Sequence, residues 1–318
     1  MAHIVITGAA GFIGYHLAAR LLDEGYSVLG IDDLNAFYPV HHKERRRDRL
    51  IGRTGFTFVR ADVAEATELD DALNPSGPLD RVVHLAAHPS VLASAREPER
   101  YLRANLVGFT NVLEACRVRD VPLLFASSSS VYGPQTPPLT TTLPLAPPQS
   151  LYAATKVANE ALAMSYAAQH DLPVVAVRFF NVYGPFGRPD MAVYRFTEQI
   201  LRSEPLQLRN HGRMTRDLTY IDDAVEAVVR LLARDLEGAH TVNVGRGVPV
   251  SLDTLVAELE RLLERKAITQ AVARPPSEVV DSWAGTDELE RLTAFRPRMD
   301  LRTGLDRFIR WYRDVERG

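Results

Sequence analysis

The sequence contains one cysteine, no long apolar run and little net charge, and each of these absences excludes a class of protein. Because Cys116 is the single cysteine, a disulfide within the chain is impossible and a thiolate metal site is not expected. No window reaches the roughly 20 apolar residues that span a bilayer, and the N-terminal residues enter a β-branched run without features of a secretion signal. We therefore expect a cytoplasmic protein without a metal site or a membrane partner.

Neither sign of charge dominates, since 37 basic and 40 acidic residues give a formal net charge of −3. No basic region is interleaved with aromatic residues, so a nucleic-acid partner is not expected. The densest basic segment, residues 41–49, also contains acids and is interpreted as a solvent-exposed helix face, with contact to a phosphate-bearing ligand as the alternative. Lysine is rare, because only Lys43, Lys156 and Lys266 stand among the 37 basic residues.

Short apolar runs alternate with amphipathic helical patterns over the first 180 residues. This alternation is typical of the α/β class and predicts a doubly wound parallel sheet of the Rossmann type. The alternation becomes irregular after residue 180. We predict a first domain of residues 1–180 and a smaller, mixed α/β C-terminal region of residues 181–318 that binds the substrate. The helix and strand near residues 222–245 are expected to return to the first domain.

A glycine turn separates the first predicted strand from the first helix. Gly8, Gly11 and Gly14 allow a tight turn and let the backbone approach a pyrophosphate at the helix N-terminus. Asp32 follows the next strand, where a carboxylate can accept hydrogen bonds from the adenosine ribose hydroxyls and repel a 2′-phosphate. The pattern therefore predicts NAD rather than NADP as the cofactor. The alternative is a glycine turn that serves packing alone.

Two further motifs suggest proton transfer. Tyr152 and Lys156 lie four residues apart in a helical pattern, so their side chains share one face. A nearby positive charge lowers the pKa of a phenol from about 10 and makes it a better proton carrier. Residues 127–130 are four serines after the fifth predicted strand. Taken alone, an ordinary amphipathic helix and a serine-rich turn remain the alternatives.

Together these motifs resemble the extended branch of the short-chain dehydrogenase/reductase superfamily, in its NAD-dependent epimerase/dehydratase family. Segments 150–156, 178–192 and 210–223 are most similar to the UDP-glucuronate 4-epimerase group. The resemblance implies that Tyr152 is the catalytic base and that Ser128 hydrogen-bonds the reacting oxygen. It also implies that Lys156 binds the nicotinamide ribose and, with the nicotinamide, lowers the pKa of Tyr152.

The resemblance also assigns binding residues. Those implied at NAD are Gly8, Gly11, Phe12, Ile13, Gly14, Asp32, Asn35, Lys43, Asp62, Val63, Leu85, Ala86, Ala87, Asn105, Tyr152, Lys156 and Phe179. Those implied at a UDP-sugar substrate are Ser129, Ser130, Asn181, Arg188, Met191 and Arg216. Among these, Arg216 is expected at the diphosphate and Arg188 near a C6 carboxylate, because a planar guanidinium suits both groups.

The residues at positions 129 and 130 favour one reaction of the family. Related dehydratases carry an Asp-Glu pair there, and related decarboxylases carry an acid beside the Val-Tyr-Gly that follows. Ser129 and Ser130 cannot act as acid or base at neutral pH. This favours C4 epimerisation through a transient 4-keto sugar, with conversion of UDP-glucuronate to UDP-galacturonate as the expected reaction. A decarboxylase or dehydratase and a non-catalytic NAD-binding module are disfavoured alternatives.

Three departures from the glucuronate pattern leave the sugar open. Asn181 stands where that group usually has threonine, residues 89–92 lack its arginine, and Pro275 stands beside Arg274 where UDP-galactose 4-epimerases carry an arginine. A UDP-glucose/UDP-galactose 4-epimerase is therefore the main alternative. The resemblance also implies a homodimer in which the helices of residues 98–118 and 151–170 pair across a two-fold axis.

Overall fold

The computed structural model describes residues 2–74, 77–273, 275 and 279–316. Its strands are β1 His3–Thr7, β2 Ser27–Ile31, β3 Phe56–Val59, β4 Arg81–His84, β5 Leu123–Ser128, β6 Val174–Phe179, β7 Asn181–Tyr183, β8 Pro205–Arg209, β9 Thr215–Tyr220, β10 Ala239–Val244, β11 Pro249–Ser251, β12 Ile268–Val272 and β13 Asp281–Ser282. Its α-helices are α1 Phe12–Asp23, α2 His41–Leu50, α3 Ala66–Leu73, α4 Val91–Ser94, α5 Pro98–Leu102, α6 Gly108–Arg119, α7 Leu151–His170, α8 Ala192–Arg202, α9 Ile221–Leu232, α10 Leu252–Leu263, α11 Asp287–Thr293 and α12 Leu301–Trp311. Among the described residues, no helix combines the length and the apolar character needed to cross a membrane.

The main sheet has seven parallel strands in the order β10-β6-β5-β4-β1-β2-β3. Alternate side chains of a strand point to opposite faces, and both faces are buried here. Ile4 and Ile6 of β1 pack into one hydrophobic cluster and Val5 into the other. The predicted doubly wound parallel sheet is confirmed. The strand order reverses between β1 and β4, which opens a crevice at the carboxyl ends of the strands.

The region after β6 forms smaller sheets beside this crevice. Strand β9 pairs with β7, β11 and β13, and β12 pairs with β8, whereas β10 joins the main sheet next to β6. Asp217 of β9 is fully buried, and its carboxylate accepts hydrogen bonds from the backbone N–H groups of Arg246, Gly247 and Ala284. This carboxylate therefore joins two loops to β9, the one between β10 and β11 and the one after β13.

Helix α7 places the predicted catalytic pair against β5. The helix begins where the Ser150 hydroxyl accepts a hydrogen bond from the Ala153 N–H at 3.1 Å, and it ends at Asp171 in a left-handed conformation. The neighbouring helix predicted for residues 98–118 is interrupted. A π-helical turn, Arg103–Val107, separates α5 from α6.

The basic segment of residues 41–49 is helical, but its interpretation as a solvent-exposed face is wrong. It forms α2, in which Lys43 is 6% exposed and Arg46 is 1% exposed. Both side chains turn inward toward the end of β2 and the glycine turn, where the Lys43 ammonium lies 3.5 Å from the Asp32 carboxylate. A sequence window shows charge density but not the direction in which each side chain points.

Candidate active site

A cavity of about 750 Å³ lies at the carboxyl ends of the main-sheet strands. Of the residues expected at the cofactor, all except Asn105 line this cavity, and every residue expected at the substrate lines it. Asn105 stands behind the wall instead. Its side chain accepts a hydrogen bond from the His88 N–H and donates to the His88 carbonyl and to Thr155, so it holds backbone in place rather than lining the site.

The glycine turn fits the close approach of a dinucleotide backbone. Gly8 has a left-handed φ of +73°, and a Cβ there would lie 2.7 Å from the Ala86 nitrogen. A Cβ on Gly14 would lie 2.2 Å from the Gly8 carbonyl oxygen. No side chain caps the N-terminus of α1, and Gly11, Phe12 and Ile13 at this terminus line the cavity. Backbone N–H groups of a first helical turn can donate to an anion.

The Asp32 carboxylate closes the other side of this turn. It accepts hydrogen bonds from the Leu34 N–H at 2.9 Å and the Ala10 N–H at 3.1 Å. Burial raises the pKa of Asp32, and the Lys43 ammonium opposes that shift. A buried acceptor at the end of β2 matches the chemistry of adenosine ribose hydroxyls, so the residues present fit NAD.

The predicted proton carrier has a different electrostatic environment from the one its sequence spacing suggested. The pKa of Tyr152 lies above its ordinary value, because burial outweighs the lowering effects of a hydrogen bond with Ser128 and of the Arg188 charge. The joint effect of Lys156 and the nicotinamide on this pKa stays a prediction. The Lys156 ammonium donates to the Ala126 carbonyl at 2.8 Å, and burial lowers its own pKa to about 8.

The serines after β5 form a compact polar turn without an acid. Ser128 ends the strand, and its hydroxyl accepts hydrogen bonds from the Ser130 hydroxyl at 3.0 Å and the Ser130 N–H at 3.2 Å. Ser129 begins a short 3₁₀ turn that continues to Tyr132. This wall of the cavity therefore offers hydroxyl groups for hydrogen bonding and no group that exchanges protons at neutral pH.

Arg188 brings a positive charge to the lining of the cavity. Its guanidinium donates two hydrogen bonds to Asp190, from Nε at 3.0 Å and from Nη2 at 2.6 Å. The guanidinium carbon also lies 5.9 Å from the centre of the Phe37 ring. This pairing holds the planar group in one orientation beside Tyr152, the phenol whose pKa its charge lowers.

Residues 4–245 match the sequence pattern of the NAD dependent epimerase/dehydratase family. The chain belongs to this family. UDP-glucuronate 4-epimerase 3 of Arabidopsis thaliana is 38% identical over 333 aligned residues, which cover 97% of this chain and 76% of the relative. The family membership expected from the motifs is thus confirmed.

Solved structures agree with this membership. UDP-glucuronic acid 4-epimerase from Bacillus cereus, in complex with UDP-glucuronic acid and NAD, is 32% identical with a TM-score of 0.93, covering 98% of this chain and 99% of that chain. MoeE5 has been solved with UDP-glucuronic acid and NAD, and also with UDP-glucose and NAD. Its chains have TM-scores of 0.88 and 0.87 and identities of 33% and 32%, with the same coverage.

Other side chains of this family member lie at the site although the motifs did not identify them. Arg195 and Arg209 line the cavity together with Arg216, whose guanidinium donates to the backbone carbonyls of residues 215, 279 and 280. The preference for arginine in this chain hides such residues, because no short motif separates them from surface arginines. Arg274 lies outside the described residues.

Glu160 is a further residue that the motifs did not identify, although its spacing from Lys156 could have indicated it. It stands four residues after Lys156 on α7, as Lys156 stands four after Tyr152. Its carboxylate accepts hydrogen bonds from the Ser127 hydroxyl at 2.5 Å and from two nitrogens of Arg178 at 2.9 and 2.7 Å. The buried network behind the cavity therefore connects α7 with the ends of β5 and β6.

Proposed function

We propose that the protein is an NAD-dependent nucleotide-sugar 4-epimerase that interconverts UDP-glucuronate and UDP-galacturonate. One observation carries this proposal. Tyr152 is hydrogen-bonded to Ser128 and is influenced by the charge of Arg188, and it shares its cavity with the uncharged Ser129 and Ser130. The names and bound ligands of the relatives described above support the same reaction class.

The cofactor is proposed to lie between the glycine turn and the catalytic pair. Gly8, Gly11 and the N-terminus of α1 receive the pyrophosphate, Asp32 receives the adenosine ribose, and Lys156 receives the nicotinamide ribose. Bound NAD would supply reversible hydride transfer at the sugar C4, and the 4-keto sugar would turn so that its opposite face receives the hydride. The chain itself supplies the proton transfer and holds the sugar.

Tyr152 takes the proton of the sugar 4-hydroxyl and later returns it to the C4 oxygen. Burial keeps the phenol a weak acid, so it needs groups that stabilise the phenolate. The hydrogen bond with Ser128 and the charge of Arg188 provide this stabilisation, since both lower the pKa of Tyr152. Ser128 also orients the C4 oxygen toward the phenol.

The same cavity decides what happens to the oxidised sugar. Removal of the C5 proton would require a base, and Ser129 and Ser130 provide only hydroxyl groups. The guanidinium of Arg188 is proposed to bind the C6 carboxylate, which keeps that carboxylate charged and fixed while C4 reacts. Epimerisation, rather than dehydration or decarboxylation, is then the outcome that these side chains permit.

Asn181 favours a second candidate, a UDP-glucose/UDP-galactose 4-epimerase. It lines the cavity, and its side-chain amide can donate to and accept from a sugar hydroxyl without needing a carboxylate. The pairing of Arg188 with Asp190 also reduces the net positive charge that a neutral sugar would meet. Both substrates share the chemistry of Tyr152 and differ only at C6.

Separate incubations with UDP-glucuronate and UDP-glucose test the proposal. Products are separated by anion-exchange chromatography and identified by NMR, for the wild-type protein and for Arg188→Gln. We expect UDP-galacturonate from the wild type and a KM for UDP-glucuronate at least roughly 10-fold higher in the variant, because one charge-assisted contact is lost. Formation of a UDP-pentose with CO2, or turnover of the neutral sugar alone, would contradict the proposal.

A homodimer in a reducing cytoplasm is proposed as the working form. Leu102, Val107, Val118 and Met164 are exposed apolar residues on the helices of residues 98–119 and 151–170, with exposures of 41, 51, 67 and 56%. A second copy of this face would bury them. The single cysteine, Cys116, is a buried free thiol, and burial raises its pKa to about 12. A buried thiol that stays protonated is compatible with a reducing compartment.

A further inference from the structure

Arg46 of α2 is a buried charge outside the cavity wall. It is 1% exposed and belongs to the largest fully buried side chains of the protein. Among the described residues, no carboxylate lies within ion-pair distance of its guanidinium. Exposed arginines of the chain such as Arg20, Arg100 and Arg202, by contrast, each pair with a glutamate. A buried cation without a carboxylate is unfavourable unless hydrogen bonds replace its hydration.

The hydrogen bonds of Arg46 join the two halves of the proposed site. Its Nη1 donates to the carbonyl of Ala10 at 3.2 Å, inside the glycine turn, and to the Tyr38 hydroxyl at 2.8 Å. Its Nε donates to the Phe186 carbonyl at 2.9 Å and its Nη2 to the Gly187 carbonyl at 3.3 Å. Those two carbonyls immediately precede Arg188.

The loop before Arg188 has a backbone that needs such support. Phe186 has a left-handed φ of 58°, a conformation that a bulky side chain rarely adopts. Its ring packs against Tyr15 and Trp311 at centroid distances of 5.0 Å each. The guanidinium of Arg46 therefore holds the carbonyls of a strained turn at a fixed distance from the cofactor turn.

We propose that Arg46 is a positioning residue that fixes the loop carrying Arg188 relative to the glycine turn, and thereby sets the affinity for a substrate carboxylate. The proposal rests on the proposed role of Arg188. Arg46 reaches no cavity surface and acts through the backbone of residues 186 and 187. Removing Arg46 leaves the uridine side intact and displaces the Arg188 guanidinium, which weakens the carboxylate contact, read in KM, and reduces the charge effect on Tyr152, read in kcat.

The test uses Arg46→Met and Arg46→Lys in the full chain, with Arg47→Met as the matched control. Arg47 is on the same helix and pairs with the exposed Asp48, so its loss is not expected to affect the site. Lysine keeps the charge of Arg46 but cannot donate to carbonyls from three directions within one plane. Both Arg46 variants are measured for kcat and KM with UDP-glucuronate and UDP-glucose, and for affinity toward UDP alone by calorimetry.

We expect a rise in KM that is specific to the substrate with a carboxylate. KM for UDP-glucuronate rises about 10- to 100-fold in Arg46→Met, as expected for a contact displaced by about 1 Å, and UDP affinity changes less than about 3-fold. In an Arg188→Gln background, Arg46→Met has no further effect on KM, because both changes remove one contact. The KM of Arg46→Lys for UDP-glucuronate is expected to be closer to that of Arg46→Met than to that of the wild type.

Three results would overturn the inference. They are equal rises in KM for UDP-glucuronate and UDP-glucose, additive effects of the two substitutions on KM, or a KM for UDP-glucuronate unchanged from the Arg47→Met control. If Arg46→Met does not fold, Arg46→Lys carries the same comparison. Calorimetric binding of UDP-glucuronate to these variants does not depend on turnover. A wild type that binds but does not epimerise UDP-glucuronate thus contradicts the proposed function alone, and the Arg46 comparison is still decided.

Discussion

Tyr152 is the residue on which the proposed chemistry depends. Replacing it by phenylalanine removes the proton carrier and keeps the ring. We predict that kcat of Tyr152→Phe with UDP-glucuronate falls by about 10³-fold or more, since general acid–base catalysis contributes roughly 10²- to 10⁴-fold. Binding of UDP-glucuronate, measured by calorimetry, should change less than about 3-fold.

Tyr101 provides the control for this prediction. Its ring lies 6.5 Å from the ring of Tyr152, and its hydroxyl donates to the Pro89 carbonyl at 2.7 Å and also interacts with the Ser90 side chain. Tyr101→Phe is therefore expected to retain kcat within about 10-fold of the wild type, because one hydrogen bond is worth about 1 kcal/mol. Equal losses in the two variants would contradict the role of Tyr152.

At this scale, the sequence predicts residues whose role depends on neighbours in the chain. The glycines, Asp32 and the serines are examples, because a strand followed by a tight turn brings them to one crevice. The direction of the Tyr152 pKa shift could not be predicted, because burial of the phenol raises the pKa and burial depends on the whole fold rather than on the spacing to Lys156. The burial of Arg46 could not be predicted either, because its three backbone-carbonyl partners lie 36 to 141 residues away in the chain.

At the scale of elements, the Glu160–Arg178 pair connects α7 to β6. Both side chains are about 6% exposed, and Ser127 of β5 donates to the same carboxylate. Because Glu160→Gln leaves a buried guanidinium without its counter-charge, we predict a loss of about 3 kcal/mol in the free energy of unfolding. Urea denaturation at pH 7 with saturating NAD measures this.

The double variant Glu160→Met with Arg178→Met is the internal control for this pair. It removes both charges and should be less destabilised than the sum of its single variants, because no unpaired charge remains. A loss below about 0.5 kcal/mol in Glu160→Gln, within the range of ordinary surface substitutions, would show that the pair does not fasten α7 to the sheet.

Element boundaries illustrate which packing the sequence can and cannot reveal. The start of α7 was predictable, because Ser150 is a good N-cap and the apolar face begins at once. The π-helical turn at residues 103–107 was not, because it inserts a residue into an otherwise regular apolar pattern. Its consequence is to direct Asn105 toward the His88 backbone instead of the cavity.

For the whole molecule, buried histidines lower the free energy of unfolding at acidic pH. His84, hydrogen-bonded to Thr7 at 2.8 Å, has a pKa lowered to about 3 by burial. The unfolded chain binds a proton at this residue below pH 6.5 and the folded protein does not, so stability falls as the pH drops from 6.5 toward 3. The slope is about 1.4 kcal/mol per pH unit, or about 2 kcal/mol at pH 5.

Urea denaturation of the wild type and His84→Gln at pH 7 and pH 5 tests this linkage. Glutamine keeps a hydrogen-bonding group for Thr7 and does not titrate. The stability difference between the two pH values should therefore be about 2 kcal/mol smaller in the variant. An unchanged difference would mean that other groups govern the acid sensitivity.

The proposed dimer is also a property of the whole molecule. Met164→Asp places a charge on the exposed apolar side of α7. We predict that this variant sediments as a monomer and that the wild type sediments as a dimer. Ile51→Asp is the control, because Ile51 is 54% exposed at the end of α2, away from that face. A dimeric Met164→Asp protein would argue against this interface.

The central claim is that C4 is inverted by a hydride that never leaves the protein. Incubation of UDP-glucuronate with the protein in D2O, followed by ¹H NMR, tests it most directly. We predict UDP-galacturonate with a full C4–H signal, since the hydrogen is returned from the cofactor, and a full C5–H signal, since Ser129 and Ser130 cannot remove that proton. Deuterium at C4 or C5, or release of CO2 with a UDP-pentose, would contradict it.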